Sequence, residues 1–309
     1  MHRIDGPGAT VDHLFTDGDP VSGTQATMVT DDWLNDVQEN IISVLLAAGV
    51  TPVKGRSSDL LDSLRKLSTS VVGGALNARM TVASASASAT LTADEVVVKS
   101  ALGGAAWTLS VFNKTINLGA APGPGGMDTG SSPASGYLAI YAIYNPTTGV
   151  SALLAKNATS AVQTETYSGA NMPSGYTASA LVSVWPTNGG GQFVVGVMQG
   201  RQVAAGGIQV LSSSVQQASF VSLSLSAAVP LNAKTAKGYM RIGSSSPGNN
   251  LGQISANSVG LDQTIIEGGY TNATSAFSVA MLTPQTLFYT ATTSAGTLNS
   301  LIVISSYTF

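Results

Sequence analysis

The chain has 309 residues and a formal net charge of −3, and only 9% of its residues are Asp, Glu, Lys or Arg; an ordinary soluble domain carries roughly 25%. With no basic block, phosphate neutralisation and hence nucleic-acid binding are not expected. Cysteine is absent and histidine occurs only at His2 and His13, which removes disulfide frameworks, zinc–thiolate sites, Ser-His-Asp and Cys-His catalysis and HExxH metal centres from the remaining sequence.

Seventy residues are Ser or Thr and 34 are Gly. The longest apolar runs, such as Val44 to Val50, fall far short of the ~20 residues that span a bilayer, so no membrane insertion is expected. Met1-His2-Arg3-Ile4-Asp5-Gly6 lacks the apolar core of a secretory signal. Charge is unevenly spread. Residues 1–67 hold ten acids and five bases, whereas residues 129–309 hold only Glu165, Asp262 and Glu267 against Lys156, Arg201, Lys234, Lys237 and Arg241. So sparsely charged a surface is covered by Ser, Thr, Asn, Gln and Gly, or hidden against copies of the same chain.

The first boundary therefore falls near residue 68. Before it, residues 5–30 carry turn chemistry without period (Gly6-Pro7-Gly8, Asp17-Gly18-Asp19-Pro20), which predicts an extended arm. Thr30-Asp31-Asp32 offers a cap and first-turn negative charge. Leu34, Val37, Ile41, Val44 and Ala48 then recur at helical spacing until Gly49, predicting a helix over about 31–48. Ser57-Ser58-Asp59 opens a second helix with Leu60, Leu61, Leu64 and Leu67 on one face. The two stripes either pack on each other within one chain or pack between protomers; about two heptads do not decide.

After residue 68 the period becomes two. Ala83 to Thr90 alternates small apolar and hydroxyl residues, as a low-complexity linker or as a strand with close neighbours. Val96–Val98, Trp107–Val111 and Thr115–Leu118 read as strands, and Ala121–Gly126 as a hinge or turn. These residues, 69–128, form a β-rich shaft or a small β-domain. In a second β-domain, 129–205, Tyr137 to Tyr144 is apolar on both faces and so should be covered on both. Asn145–Gly149 turns it into Val150–Leu154. Leu181–Trp185 and Phe193–Val197 read as another pair across Thr187–Gly191. Residues 206–309 hold short strands with Gly, Asn and Ser turns, from the strictly alternating Val221–Ser226 to Leu301–Phe309. They read as a distal β-sandwich or jelly roll. The fold class is mainly β, behind a small helical head.

Met1-His2-Arg3-Ile4-Asp5-Gly6-Pro7-Gly8-Ala9-Thr10 resembles the opening of tail-fibre and tail-tip proteins of tailed bacteriophages. The likeness continues through Phe15, Thr30 to Asn35 and the helix Val37 to Gly49, covering about residues 1–67. Ala139 to Asn145 and Met172 to Thr177 are similar to a domain that recurs in phage tail fibres, and Val303 to Phe309 fits fibre C-termini loosely. The resemblance implies a homotrimer in the virion, made in the host cytoplasm. Its N-terminus attaches to tail or baseplate proteins, and its C-terminal end binds a host surface glycan or protein. Attachment would fall to Ile4, Trp33, Leu34, Val37 and Ile41.

Sugar sites combine aromatic faces with amide, hydroxyl and carboxylate groups. In the distal segment Asn249, Asn250, Asp262, Glu267, Tyr270 and Tyr289 have that chemistry and are the candidate receptor-binding residues. Two alternatives remain: a structural tail component without receptor contact, and a tail spike that cleaves polysaccharide through paired carboxylates. For the second, Asp262 and Glu267 lie at an odd offset that puts them on opposite faces of a strand, and Glu165 stands alone. No catalytic residue, metal or cofactor is expected.

Overall fold

The computed structural model describes residues 2–67, 70–269 and 272–309. Two compact units divide the chain. One holds the residues before position 70 with residues 103–106; the other holds 70–102 and 107–309.

In the first unit, α1 spans Asp31–Ala47 and the side chain of its N-cap Thr30 accepts the Trp33 N–H. Its C-terminus closes with Gly49 at φ 63°. The Gly49 N–H reaches the Leu46 carbonyl at 2.9 Å and the Val50 N–H reaches that of Leu45 at 2.8 Å. This paired closure satisfies two otherwise orphaned carbonyls, and Leu45 and Val50 are both buried beside it. α2 spans Asp59–Leu67. The Asp59 carboxylate accepts the Val53 N–H at 3.0 Å and pairs with Arg56, and these contacts hold its pKa below the usual carboxylate value.

The arm is not extended. It doubles back, with the Met28 N–H on the Pro7 carbonyl, the Thr27 N–H on that of Thr16, and Asp19 bridged to Thr24. A Cβ at Gly8 would lie 2.3 Å from the Ala26 carbonyl oxygen, and Gly8 has φ +80°. Turn residues that looked merely aperiodic thus permit a close backbone crossing.

In the second unit, among the described residues, twelve strands form one antiparallel sheet and four form another. β1 (Ala75–Leu76), β2 (Arg79–Val82), β3 (Ser88–Lys99) and β4 (Ala106–Asn117) come first. β5 (Tyr137–Asn145), β6 (Val150–Asn157), β7 (Ala178–Pro186), β8 (Gly196–Gln199) and β9 (Gln202–Ser213) follow. β10 (Gln217–Ser224), β11 (Thr235–Ser244), β12 (Asn250–Ser255), β13 (Thr264–Gly268), β14 (Asn272–Ala280), β15 (Thr286–Thr293) and β16 (Leu298–Thr308) complete the chain. The large sheet runs β14-β11-β16-β9-β8-β2-β3-β7-β5-β6, with β1 and β4 both on β3, and the small one runs β10-β15-β12-β13.

The expected hairpin is present as β5–β6, and residues 137–143 of β5 are buried on both faces. Asn145 sets its turn by accepting the Thr147 and Thr148 N–H groups on its side-chain oxygen. The second expected pair differs. β7 pairs with β5 and β3, while β8 pairs with β2 and β9; Phe193 makes only isolated bridges to Thr187 and Ser86. The Ala83–Thr90 alternation divides, its first part turning between β2 and β3 and its end entering β3.

The segments drawn at 69–128, 129–205 and 206–309 share the large sheet. Ala121–Gly126 is a fixed turn rather than a hinge. The Gly125 N–H donates to the Leu153 carbonyl and the Asp128 N–H to that of Ala155, both at 2.7 Å, so the turn lies along β6. The small sheet packs on the large one where Gly252 of β12 meets Met240 and Ile242 of β11, over a core that includes Ile254, Phe277, Val279, Leu287 and Ile302.

One glycine tests this packing. β11 shifts register against β16 between Lys237 and Gly238. A Cβ at Gly238 would fall 1.9 Å from the Val303 carbonyl oxygen. Gly238→Ala is expected to destabilise the unit by ~1–3 kcal/mol, the usual cost of overpacking. Gly269→Ala, with nothing within 4 Å of the added carbon, is the control. Paired thermal melts check this; equal melting temperatures contradict it.

Candidate functional site

The candidate receptor residues divide. Asn250 is fully buried in β12, and Tyr289 is 6% exposed in β15. Neither side chain is presented to a ligand, which corrects both assignments: each sits at a core-facing position of a strand in the small sheet. Asn249 and Glu267 lie at one end of that sheet, because Asn250 pairs with Gly268 and Leu251 with Glu267. The Asn249 N–H there donates to Ser294 Oγ at 2.8 Å. Asp262 lies beyond the opposite end of β13, where its carboxylate accepts the Ala280 N–H at 2.7 Å. A five-residue strand separates the two ends, about 16 Å at ~3.3 Å per residue. Asn249 and Glu267 are therefore brought together, Asp262 is apart, and Tyr270 lies outside the described residues.

The same distance bears on carboxylate chemistry. Asp262 and Glu267 stand at opposite ends of β13 as well as at an odd offset. Glu165 makes two hydrogen bonds to the Arg201 guanidinium, at 2.8 and 2.9 Å. Asp94 accepts from the Asn77 amide at 2.6 Å. Among the described residues no group of three or more His, Asp or Glu could hold a metal ion.

Two polar clusters tie distant parts of the β unit together. Arg201 donates its Nε to the Phe309 carbonyl at 2.8 Å, and its guanidinium lies 4.6 Å from the Phe309 ring centroid. It thereby joins the end of β16 to Glu165. Second, the Tyr167 hydroxyl donates to Asp128 at 2.8 Å, and the Lys156 ammonium lies 5.4 Å from the Tyr167 ring centroid. Burial, followed by the Asp128 contact, pushes the Tyr167 hydroxyl up to about 12. The hydrogen bonds of these clusters link residues 36 to 108 positions apart, and no local pattern announces such pairs. Trp185 is core, fully buried with its Nε1–H on the Val194 carbonyl.

Of the candidate attachment residues, Ile4 is 1% exposed. It belongs to the chain's own packing and is not presented to another protein, which corrects that assignment. Trp33 packs edge-on against Phe15 with centroids 5.2 Å apart, and Val37 is half-buried. Leu34 and Ile41 are exposed, as are Leu60, Leu61, Leu64 and Leu67 of α2. Within one chain, then, α1 buries its stripe in part, with Leu45 covered and Leu34 and Ile41 exposed, and the leucines of α2 stay exposed.

No family model matches the chain. A curated protein of Escherichia coli strain K12, described as the uncharacterized protein StfP, is 42% identical to it over 73 residues. That match covers 22% of this chain and 35% of the relative, so the chain spans about a third of the relative's length. The solved structures with some likeness include two insecticidal toxins of Bacillus thuringiensis. Cry8Ea1 has a TM-score of 0.23 at 9% identity, covering 76% of this chain and 54% of its own. A Cry1Da tryptic core variant has 0.21 at 8%, covering 76% and 52%. Superpositions this poor support no argument about fold or function.

His2 Nδ1 lies 2.6 Å from the Asp36 carboxylate of α1 and His2 Nε2 lies 3.5 Å from Asp5. The hydrogen bond to Asp36 raises the imidazole pKa above its ordinary value and lowers that of the carboxylate. The tether's stabilisation is thus fully present below the free-imidazole value of ~6.5 and fades as pH rises through the raised His2 value. At the acid side it is lost as pH falls through the lowered Asp36 value. An NMR titration should show the His2 pKa falling toward ~6.5 in Asp36→Asn; an unchanged value would mean that the contact is not made.

Proposed function

We propose that this chain is a bacteriophage tail fibre, a non-catalytic adhesion protein of the virion. In this reading it is a homotrimer. Its helical head docks on tail or baseplate proteins, and its distal β segment, a jelly-roll-like sandwich, binds a host surface glycan or protein. The observation that carries the reading is the contrast between the two units. An acidic head leaves Leu34 and Ile41 of α1 and all four leucines of α2 exposed, and a charge-poor β unit follows it. Partner proteins or identical copies would cover such faces, and three-fold packing would also cover sheet edges. The resemblance of residues 1–67 to tail-fibre openings agrees with this.

At the tip, Asn249 and Glu267 offer amide and carboxylate groups at one end of the small sheet, where they would contact receptor. The carboxylates at Asp262, Glu267, Glu165 and Asp94, each apart or engaged elsewhere, favour adhesion over polysaccharide cleavage.

The test is competition. Purified protein should bind host cells and block adsorption of the phage, without releasing new reducing ends from host polysaccharide. Asn249→Ala/Glu267→Ala should weaken cell binding about tenfold, a loss of ~1.4 kcal/mol. Failure to bind cells points instead to a structural tail part, and new reducing ends point to an enzyme.

A further inference from the structure

One face of the large sheet carries a polar row that the chain itself leaves unused. β2 lies between β8 and β3, and Arg79 pairs in register with Gln199 on one side and Thr92 on the other. Residues directly opposite one another share a face, so the three side chains stand abreast, and all three are exposed. At ~4.8 Å per strand the row is about 10 Å wide. None of these side chains has a hydrogen-bond or ion-pair partner among the described residues.

One end of the row is built up. Asn77 holds φ 54° in the turn before β2, and its amide donates to one oxygen of the Asp94 carboxylate at 2.6 Å. The Gly200 N–H on the Ala78 carbonyl, at 2.9 Å, ties the β8–β9 turn to the same end. Together these residues line a groove of about 650 Å³, within the roughly 300–1,000 Å³ of small-molecule sites. The groove continues past Asn77, Thr92 and Asp94 into a recess of about 370 Å³ that Val111 of β4 borders. Val111 is 84% exposed and holds φ 49°, a strained conformation for a β-branched residue. A valine this exposed gains little burial to offset the strain, and strain of this kind collects at ligand sites.

The lining selects the ligand. Arg79 only donates hydrogen bonds, the Asp94 carboxylate only accepts them, and the Gln199 amide and Thr92 hydroxyl do both. One positive and one negative group face the groove, so a ligand of either charge would meet a like charge. Sugar hydroxyls both give and accept hydrogen bonds, and Val111 offers an apolar contact to the C–H face of a ring. We propose that this groove binds an uncharged saccharide, held by Gln199, Arg79, Thr92 and Asp94 and bordered by Val111. The inference does not rest on the tail-fibre reading, and its residues are not those of the small-sheet end.

The test places the full chain on an array of neutral glucose, galactose and mannose oligosaccharides, with uronate-bearing and amine-bearing oligosaccharides beside them. The wild type should bind neutral glycans. Arg79→Ala and Asp94→Ala should each weaken that binding about tenfold, with melting temperatures close to wild type. Ser278→Ala, at an exposed position of β14, should leave it unchanged. Val111→Gly should weaken it while the melting temperature holds or rises, because glycine takes positive φ without strain. A wild type that binds no neutral glycan, or binds only the charged ones, overturns the proposal. So does neutral binding that survives both Arg79→Ala and Asp94→Ala. A Val111→Gly chain that melts lower and binds as before overturns the part given to Val111. A chain that binds the array but no host cell overturns the adhesion reading and leaves this inference standing.

Discussion

Apolar burial, backbone hydrogen bonding and side-chain hydrogen bonds hold the β unit together, with few ion pairs to add to them. From residue 129 to the end the sequence carries eight charged side chains, and the Glu165–Arg201 pair, partly exposed, uses two of them. Strands in such a chain are defined by what they exclude from water. β5 is the extreme case, apolar and covered on both faces.

Elements with short-range causes were legible. The α1 helix follows from a stripe at 3-4 spacing between the Thr30 cap and Gly49, nineteen positions apart. The β5–β6 hairpin follows from an apolar run broken by Asn145 to Gly149. Elements with long-range causes were not. Nothing local says that β8 joins β2 and β9 in place of β7, because Leu181–Trp185 and Phe193–Val197 have the composition of a hairpin. The two segments meet only beside the turn, at the Thr187–Phe193 bridge and the Val194 N–H on the Pro186 carbonyl. The arm was misread for a related reason. Its glycines look like flexible spacing until the chain crosses itself at Ala26.

The candidate site was legible by chemistry and not by burial. Asn250 and Tyr289 have the functional groups of a sugar site, but strand alternation turns both toward the core. Asn249, one residue earlier, stays outside. The odd offset of Asp262 and Glu267 assumed one strand through both; Asp262 lies before β13 with φ 51°, and the length of β13 is what separates the two. Tyr167 and Asp128 gave no signal in the sequence, since they meet from 39 positions apart.

The central claim is that copies of this chain associate by covering uncharged surface. Such contact is not screened by salt, whereas association through exposed ion pairs weakens as the screening length falls from ~10 Å at 0.1 M to ~3 Å at 1 M. Native mass and sedimentation of the intact 31.2-kDa chain across that salt range give the most direct measurement. The account predicts an assembly of three copies at both ends of the range, at least as tight in high salt. A monomer throughout, or an assembly that dissolves as salt rises, would contradict it.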